Sequence, residues 1–338
     1  MRAMSLAAAV LAAALFVACG DDDTLVVLTH DSFEITDELI EAFEQQYDVK
    51  LEFIAGGDAN EVLNRAILNA GNPEADVLFG ADNLTYQRAL AQGVFVEFRA
   101  QRRDEIPADI RAQFGDSLAV TPIDYGYVNL NFDREAGEPP ETFEDLTDET
   151  WRGKLVVQDP ATSSPGLQFL ASTVAHFGED GDYTWQDYWR DLRANDVLVT
   201  DGWSDAYYTQ FSRNGGDRPV VVSYTTSPAA EVFFAEEPID EPPTLNVIPG
   251  PLFRQVEVAG ILAGADEAEL AGRFIDFMLS NRFQAQIPET MFVYPVMPGV
   301  ETPAWWTWAE VDVEPATLEV EAAEIERWIR EWTEIMRR

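Results

Sequence analysis

This 338-residue chain has one cysteine, two histidines and only 22 basic side chains. A single thiol closes no internal disulfide, and so few Cys and His residues assemble no Cys/His zinc site, so no metal is expected. Against the 22 bases stand 61 acids, a formal charge of −39. A phosphate backbone is repelled by such a surface, which excludes nucleic acid as a partner. Long apolar runs are missing as well. The stretch over residues 6–17 has twelve residues, where a membrane span needs about 20, and nothing later reaches that length. What remains is ample: 46% apolar and 12% aromatic side chains in a chain of this length bury one large core or two ordinary ones. A disulfide-stapled miniprotein, a collagen and a disordered tail are excluded. Any chemistry falls to carboxylates, hydroxyls and aromatic rings. The acidity reads either as a solvated surface or as a cleft biased towards cations, and charge alone does not separate the two.

Residues 1–18 read as an export signal, with Arg2 ahead of the apolar stretch and Ala18 before Cys19. Phe16-Val17-Ala18-Cys19 is similar to a lipobox, departing from it at Phe16, where leucine is usual. Cys19 would then carry lipid and become the mature N-terminus. An ordinary cleaved signal is the alternative. The expected location is the periplasm or the outer face of the cytoplasmic membrane, with the lipid anchor as the only membrane contact. Residues 19–24 form an acidic linker.

Beyond it, β-rich runs alternate with helical ones: 25–29 then 37–47, 50–54 then 61–70, 76–79 then 84–92. A second series places strands at 154–158, 197–200 and 219–223. The expected fold class is α/β in two lobes, each a mostly parallel sheet flanked by helices. Extended segments at 120–133 and 255–262 link the two series, so the second lobe is inserted in the first. The expected boundaries are 25–122 for the first part of lobe 1, 123–255 for lobe 2, and 256–338 for the rest of lobe 1 and a C-terminal helix. In that helix Ile325, Trp328, Ile329, Trp332 and Ile335 recur at helical spacing. Ligands of such sheets sit at the carboxyl ends of strands, here in a cleft between lobes.

Several residues could serve that cleft. Ser164-Pro165 and Ser227-Pro228 read as helix starts after strands, whose free N–H groups suit an anion. Trp203, beside Gly202, and Tyr224 follow strands and offer flat faces to a heteroaromatic cation. Asp58 either caps the helix after it or pairs with a cation. Tyr207 and Tyr208 suggest ferric-ion phenolates, but neighbouring helical positions diverge. Gly115-Asp116-Ser117-Leu118 spells a serine-esterase signature, without the late histidine that such an enzyme needs as base. The tryptophans at 305, 306 and 308 read as loop packing.

Taken in order, the strings Asp124-Tyr125-Gly126-Tyr127, Gln158-Asp159-Pro160, Ser164-Pro165-Gly166-Leu167, Gly202-Trp203-Ser204, Ser223-Tyr224-Thr225-Thr226-Ser227-Pro228-Ala229 and Gln255-Val256-Glu257-Val258-Ala259 resemble the thiamine-binding periplasmic proteins of ABC import systems. The resemblance runs from about residue 25 to 298. It implies a type II periplasmic-binding-protein fold that closes on thiamine, thiamine monophosphate or diphosphate and delivers it to a permease and its ATPase, as a monomer, without catalysis or cofactor. Carried over by position, ligand contacts fall on Asp58, Ala59, Ser163, Ser164, Trp203, Tyr224, Thr225, Thr226 and Ser227. Ala59 replaces a glycine, His30 stands where a tyrosine is usual, and Phe292 where a tryptophan is usual. Capture of ferric ion by the same fold is the alternative, and a thiamine-degrading transferase a more remote one, since that activity needs a cleft cysteine.

Overall fold

A computed structural model of the chain describes residues 23–337, apart from 313, 314, 317 and 319. The export signal and Cys19 lie outside the described residues. Three apolar runs open the fold as β1 (Thr24–Thr29), β2 (Lys50–Ala55) and β3 (Val77–Asp82). β1 pairs in parallel with both of the others, and the helices Asp37–Tyr47 and Ala59–Leu68 supply crossovers. Thr36 starts the first helix by accepting the Leu39 N–H. Asp58 starts the second in a reciprocal box with Glu61, whose carboxylate accepts the Asp58 N–H at 3.2 Å. Each device satisfies donors that the first helical turn leaves open.

The chain continues through β4 (Thr121–Asp133), β5 (Leu155–Gln158), β6 (Leu198–Thr200), β7 (Val220–Tyr224), β8 (Thr244–Val247), β9 (Arg254–Ile261) and the short β10 (Tyr294–Pro295). The order is β2-β1-β3-β9-β4-β7-β5-β6, with β8 and β10 also pairing β4. β5 runs parallel to β6 and β7, but β4 and β9 run antiparallel to their neighbours. The sheet is therefore mixed, parallel in its wings and antiparallel where the chain crosses. β4 makes the crossing: residues 121–127 pair with β9 and residues 128–132 with β7.

Two separate cores follow from this path. Leu25, Val27, Phe43, Phe79, Phe274 and Met278 belong to one, and Leu130, Phe132, Val157, Leu170, Trp185 and Trp189 to the other. The architecture is thus α/β and two-lobed. Residues up to Met297 return to the first core, but the last helix, Ala322–Arg337, does not stay there. Its Ile325, Trp328, Trp332 and Ile335 are buried in the second core. Trp332 meets Trp189 edge-on at 5.5 Å between ring centroids, and Trp328 Nε1 donates to Glu179 at 2.6 Å. Helical periodicity identifies the apolar face of such a segment; only the tertiary path decides what covers it. No helix among the described residues is long and apolar enough to cross a membrane.

Trp332 is 2% exposed, so its loss should leave a cavity between the last helix and Trp189. Trp332→Ala is expected to lower unfolding free energy by about 3–5 kcal/mol, measured by urea denaturation. A loss below about 1 kcal/mol would place the helix outside the core.

Candidate ligand-binding cleft

Strand ends from both lobes meet at a cavity of about 900 Å³, where open α/β sheets bind ligands. The first lobe contributes His30, Asp31 and Ser32 after β1, Asp58 and Ala59 after β2, Gln255 and Glu257 on β9, and the loop at 289–293. The second contributes Ser164 and Pro165 after β5, Trp203, Ser204, Tyr207 and Tyr208 after β6, and Tyr224, Thr226 and Ser227 from β7 onwards. The carboxylates of Asp31, Glu34, Asp37, Asp58, Glu231, Glu257 and Glu289 reach the wall, while no Lys or Arg among the described residues does. This electrostatic arrangement suits a cation.

Asp58 sits on the seam. One oxygen accepts the Ala59 N–H at 2.6 Å, and the other accepts the Trp203 N–H of the opposite lobe at 2.7 Å. Burial pushes its carboxyl up, and these two N–H groups pull it back. The approach depends on Gly202: a Cβ there would lie 3.1 Å from Asp58 Oδ2. Ser164 Oγ donates to Asp82 Oδ2 at 2.7 Å, again from lobe to lobe. Tyr224 OH donates to Gln255 Oε1 at 3.0 Å. The lobes are therefore shut against each other.

Trp203 is fixed at both ends. Its backbone is held by Asp58, and its Nε1 donates to Ser223 Oγ at 2.8 Å, which in turn lies 2.8 Å from Ser227 Oγ. The indole stacks on Tyr207 at 5.0 Å with 16° between planes, and Tyr208 stands edge-on to it at 5.3 Å. Tyr207 and Tyr208 lie in a π-helical turn, Ala206–Gln210, a geometry often found at functional sites. Their rings are nonetheless perpendicular, at 88°. Tyr207 is buried, donating to Glu231 Oε1 at 3.1 Å, while Tyr208 is exposed. Burial first, then Glu231, push the Tyr207 phenol well above its usual range.

Of the positions expected from the sequence, Asp58, Ala59, Ser164, Trp203, Tyr224, Thr226 and Ser227 line the cavity. Ser163 and Thr225 do not: both are fully buried behind it. The helix starts also sit one residue earlier than the Ser-Pro pairs suggest. Ser163 is the N-cap of Ser164–Phe177, and Thr226 that of Ser227–Phe233. Ser164 and Ser227 occupy the first turn, with proline second, and neither cap residue makes a side-chain capping bond. Ser117 of the esterase-like string accepts the Ala119 N–H, while His30 faces Glu257 and His176 faces Glu144. Trp305 and Trp306 pack with Phe233 and Tyr294.

The sequence did not single out Glu257, Gln255, Asp82 or Glu231 as site residues. A signal exists for the first three. Gln255 and Glu257 alternate on a strand buried along nearly its whole length, and Asp82 ends a strand buried throughout. Polar groups in such strands need a partner or a ligand.

Comparison with known proteins agrees with this geometry. The family described as bacterial extracellular solute-binding protein matches residues 72–310. The thiamine-binding periplasmic protein of Escherichia coli K12 is 34% identical over 322 residues, covering 91% of this chain and 92% of its own. That of Brucella suis is 33% identical over 278 residues, covering 81% and 79%. A solved structure described as periplasmic thiamin binding protein superposes with a TM-score of 0.80 at 30% identity, covering 94% of this chain and 97% of its own.

Ferric capture would require phenolates, yet burial raises both Tyr207 and Tyr208. Adding ferric salt at neutral pH is expected to leave the protein colourless. A visible phenolate-to-iron absorption band would reverse that expectation.

Proposed function

Since the chain belongs to the bacterial extracellular solute-binding protein family, we propose that it captures thiamine, or its phosphate esters, for an ABC importer. The lobes close over the vitamin and present it to the permease and its ATPase. One observation carries this choice: the cavity pairs fixed aromatic faces with a set of carboxylates that no Lys or Arg balances. Thiamine joins a flat, permanently charged thiazolium to an aminopyrimidine that donates N–H groups. Each contact of that cation with an aromatic face contributes about 0.5–2 kcal/mol once water is excluded. The names of the most similar relatives support the same ligand. A phosphate tail would have no basic side chain to meet, apart from His30, and would rely on backbone N–H groups and the hydroxyls of Ser164, Thr226 and Ser227.

We read the cleft as a binding site without catalysis. A thiamine-degrading transferase uses a cleft cysteine, and the single cysteine of this chain is Cys19, at the head of the acidic linker that precedes the lobes. Cys19 is instead proposed to hold the lipid that keeps the protein at the membrane. Closure couples to transport because only the closed form presents both lobes to the permease in the matching arrangement. The protein is proposed to act as a monomer.

Two substitutions test the assignment. Trp203→Ala is expected to weaken thiamine binding at least about tenfold, since it removes a stacking face and its hydrogen bond, without unfolding the protein. Calorimetric titration reads the affinity, and an unchanged value would count against this pocket. Gly202→Ala places a methyl about 3.1 Å from Asp58 Oδ2 where the lobes meet. Overpacking costs about 1–3 kcal/mol, so thiamine affinity should fall. Equal affinity would mean that the Asp58–Trp203 contact does not form in the bound state.

A further inference from the structure

Among the described residues lining the cleft, His30 is the single basic side chain. It is 8% exposed. Its Nε2 lies 3.4 Å from Glu257 Oε1 and has no other polar partner. The position is shaped for the ring: Phe79 packs on it at 5.5 Å, and Gly80, with φ +115°, leaves space where a Cβ would come within 2.7 Å of His30 Cδ2. The groups facing it are all acidic. Glu257 comes from β9, Asp58 from the start of the helix after β2, and Asp31 from its own turn. Behind Glu257 stands Asp124 on β4, whose buried carboxyl is pushed well above its usual range by burial and then by Glu257 itself. Asp82 on β3 is occupied by Ser164 and Thr85.

We propose that the cleft takes up its cationic ligand in exchange for a proton on His30. The proposal rests on the functional reading above. In the empty cleft the imidazolium is the positive charge that faces the buried carboxyl groups of Glu257 and Asp58. A thiazolium arriving at the same wall supplies a second positive charge. The imidazolium then loses one N–H proton to solvent, the neutral ring remains, and the net charge of the site is unchanged. A neutral molecule of similar shape displaces no proton, so its affinity should not change with pH across the same range.

Burial lowers the affinity of His30 for its proton, but Glu257, Asp58 and Asp31 outweigh this, and the free protein holds the proton to a higher pH than an ordinary histidine. The bound cation lowers it. Thiamine affinity should therefore rise with pH between the two values, by at most about tenfold per pH unit, and level off above the upper one. Calorimetry of thiamine binding in two buffers of different ionisation enthalpy reads the proton directly. Apparent enthalpies that differ by up to one proton's worth, together with loss of the pH slope in His30→Gln, are the expected result. Identical enthalpies in the two buffers with pH-independent affinity would overturn the proposal while leaving thiamine capture intact. A slope that persists unchanged in His30→Gln would overturn it too. Absence of thiamine binding at every pH would sink the functional reading and this proposal with it.

Discussion

A carboxylate taken out of water has to be met by donors or by a cation, and in this fold Asp58 is met by both lobes at once. The Ala59 N–H comes from its own helix and the Trp203 N–H from across the cleft. Separating the lobes returns one oxygen to water; shutting them replaces that water with a fixed donor. The rest of the aromatic wall hangs from this contact. Trp203, pinned at its backbone, passes its Nε1–H to Ser223, lies flat on Tyr207, and Tyr207 reaches Glu231. Closure and the shape of the wall are therefore one event, which is what a capture protein needs if its closed form is to be the form that a transporter recognises.

The parts of this arrangement that local chemistry dictates are legible in the sequence. Alternation of β-branched runs with amphipathic stretches gives the strand and helix order, and the extended run at 120–133 is the one that the structure contains as β4, pairing β9 with one half and β7 with the other. Asp58 is readable as a cap because Glu61 follows at the spacing of a capping box. Trp203 is readable because Gly202 beside it signals a tight turn that exposes the ring. The one-residue shift at each Ser-Pro start has a local cause as well. Proline tolerates the second helical position as it does the first, since both N–H groups lack a partner there.

What local chemistry cannot supply is the identity of the facing surface. The apolar stripe of Ala322–Arg337 is plain in the sequence, yet nothing in a stripe says that Trp189 rather than a first-lobe side chain covers it. Glu257 and His30 are the same problem in polar form. Glu257 stands out as a polar group in a buried strand, but that it meets His30 follows from β1 and β9 flanking β3 in one sheet. The π-helical turn at Ala206–Gln210 is a third case: α-helical spacing makes Tyr207 and Tyr208 diverge, and the wider turn keeps both on the cleft while leaving their rings perpendicular.

The charge of −39 poses a choice between a solvated acidic surface and a cleft tuned to cations, and the structure assigns the two to different places. Many arginines stand in ion pairs away from the cleft, such as Arg65 with Glu74, Arg99 with Asp104 and Arg254 with Asp109. Among the described residues, the cleft wall receives none. At physiological ionic strength surface charges are screened over about 8 Å, so the outer acids keep the protein soluble but contribute little to a ligand inside. Buried carboxylates escape that screening. Selectivity for a cation thus rests on the few acids around His30, Asp58 and Glu257, and would survive extensive neutralisation of the outer surface.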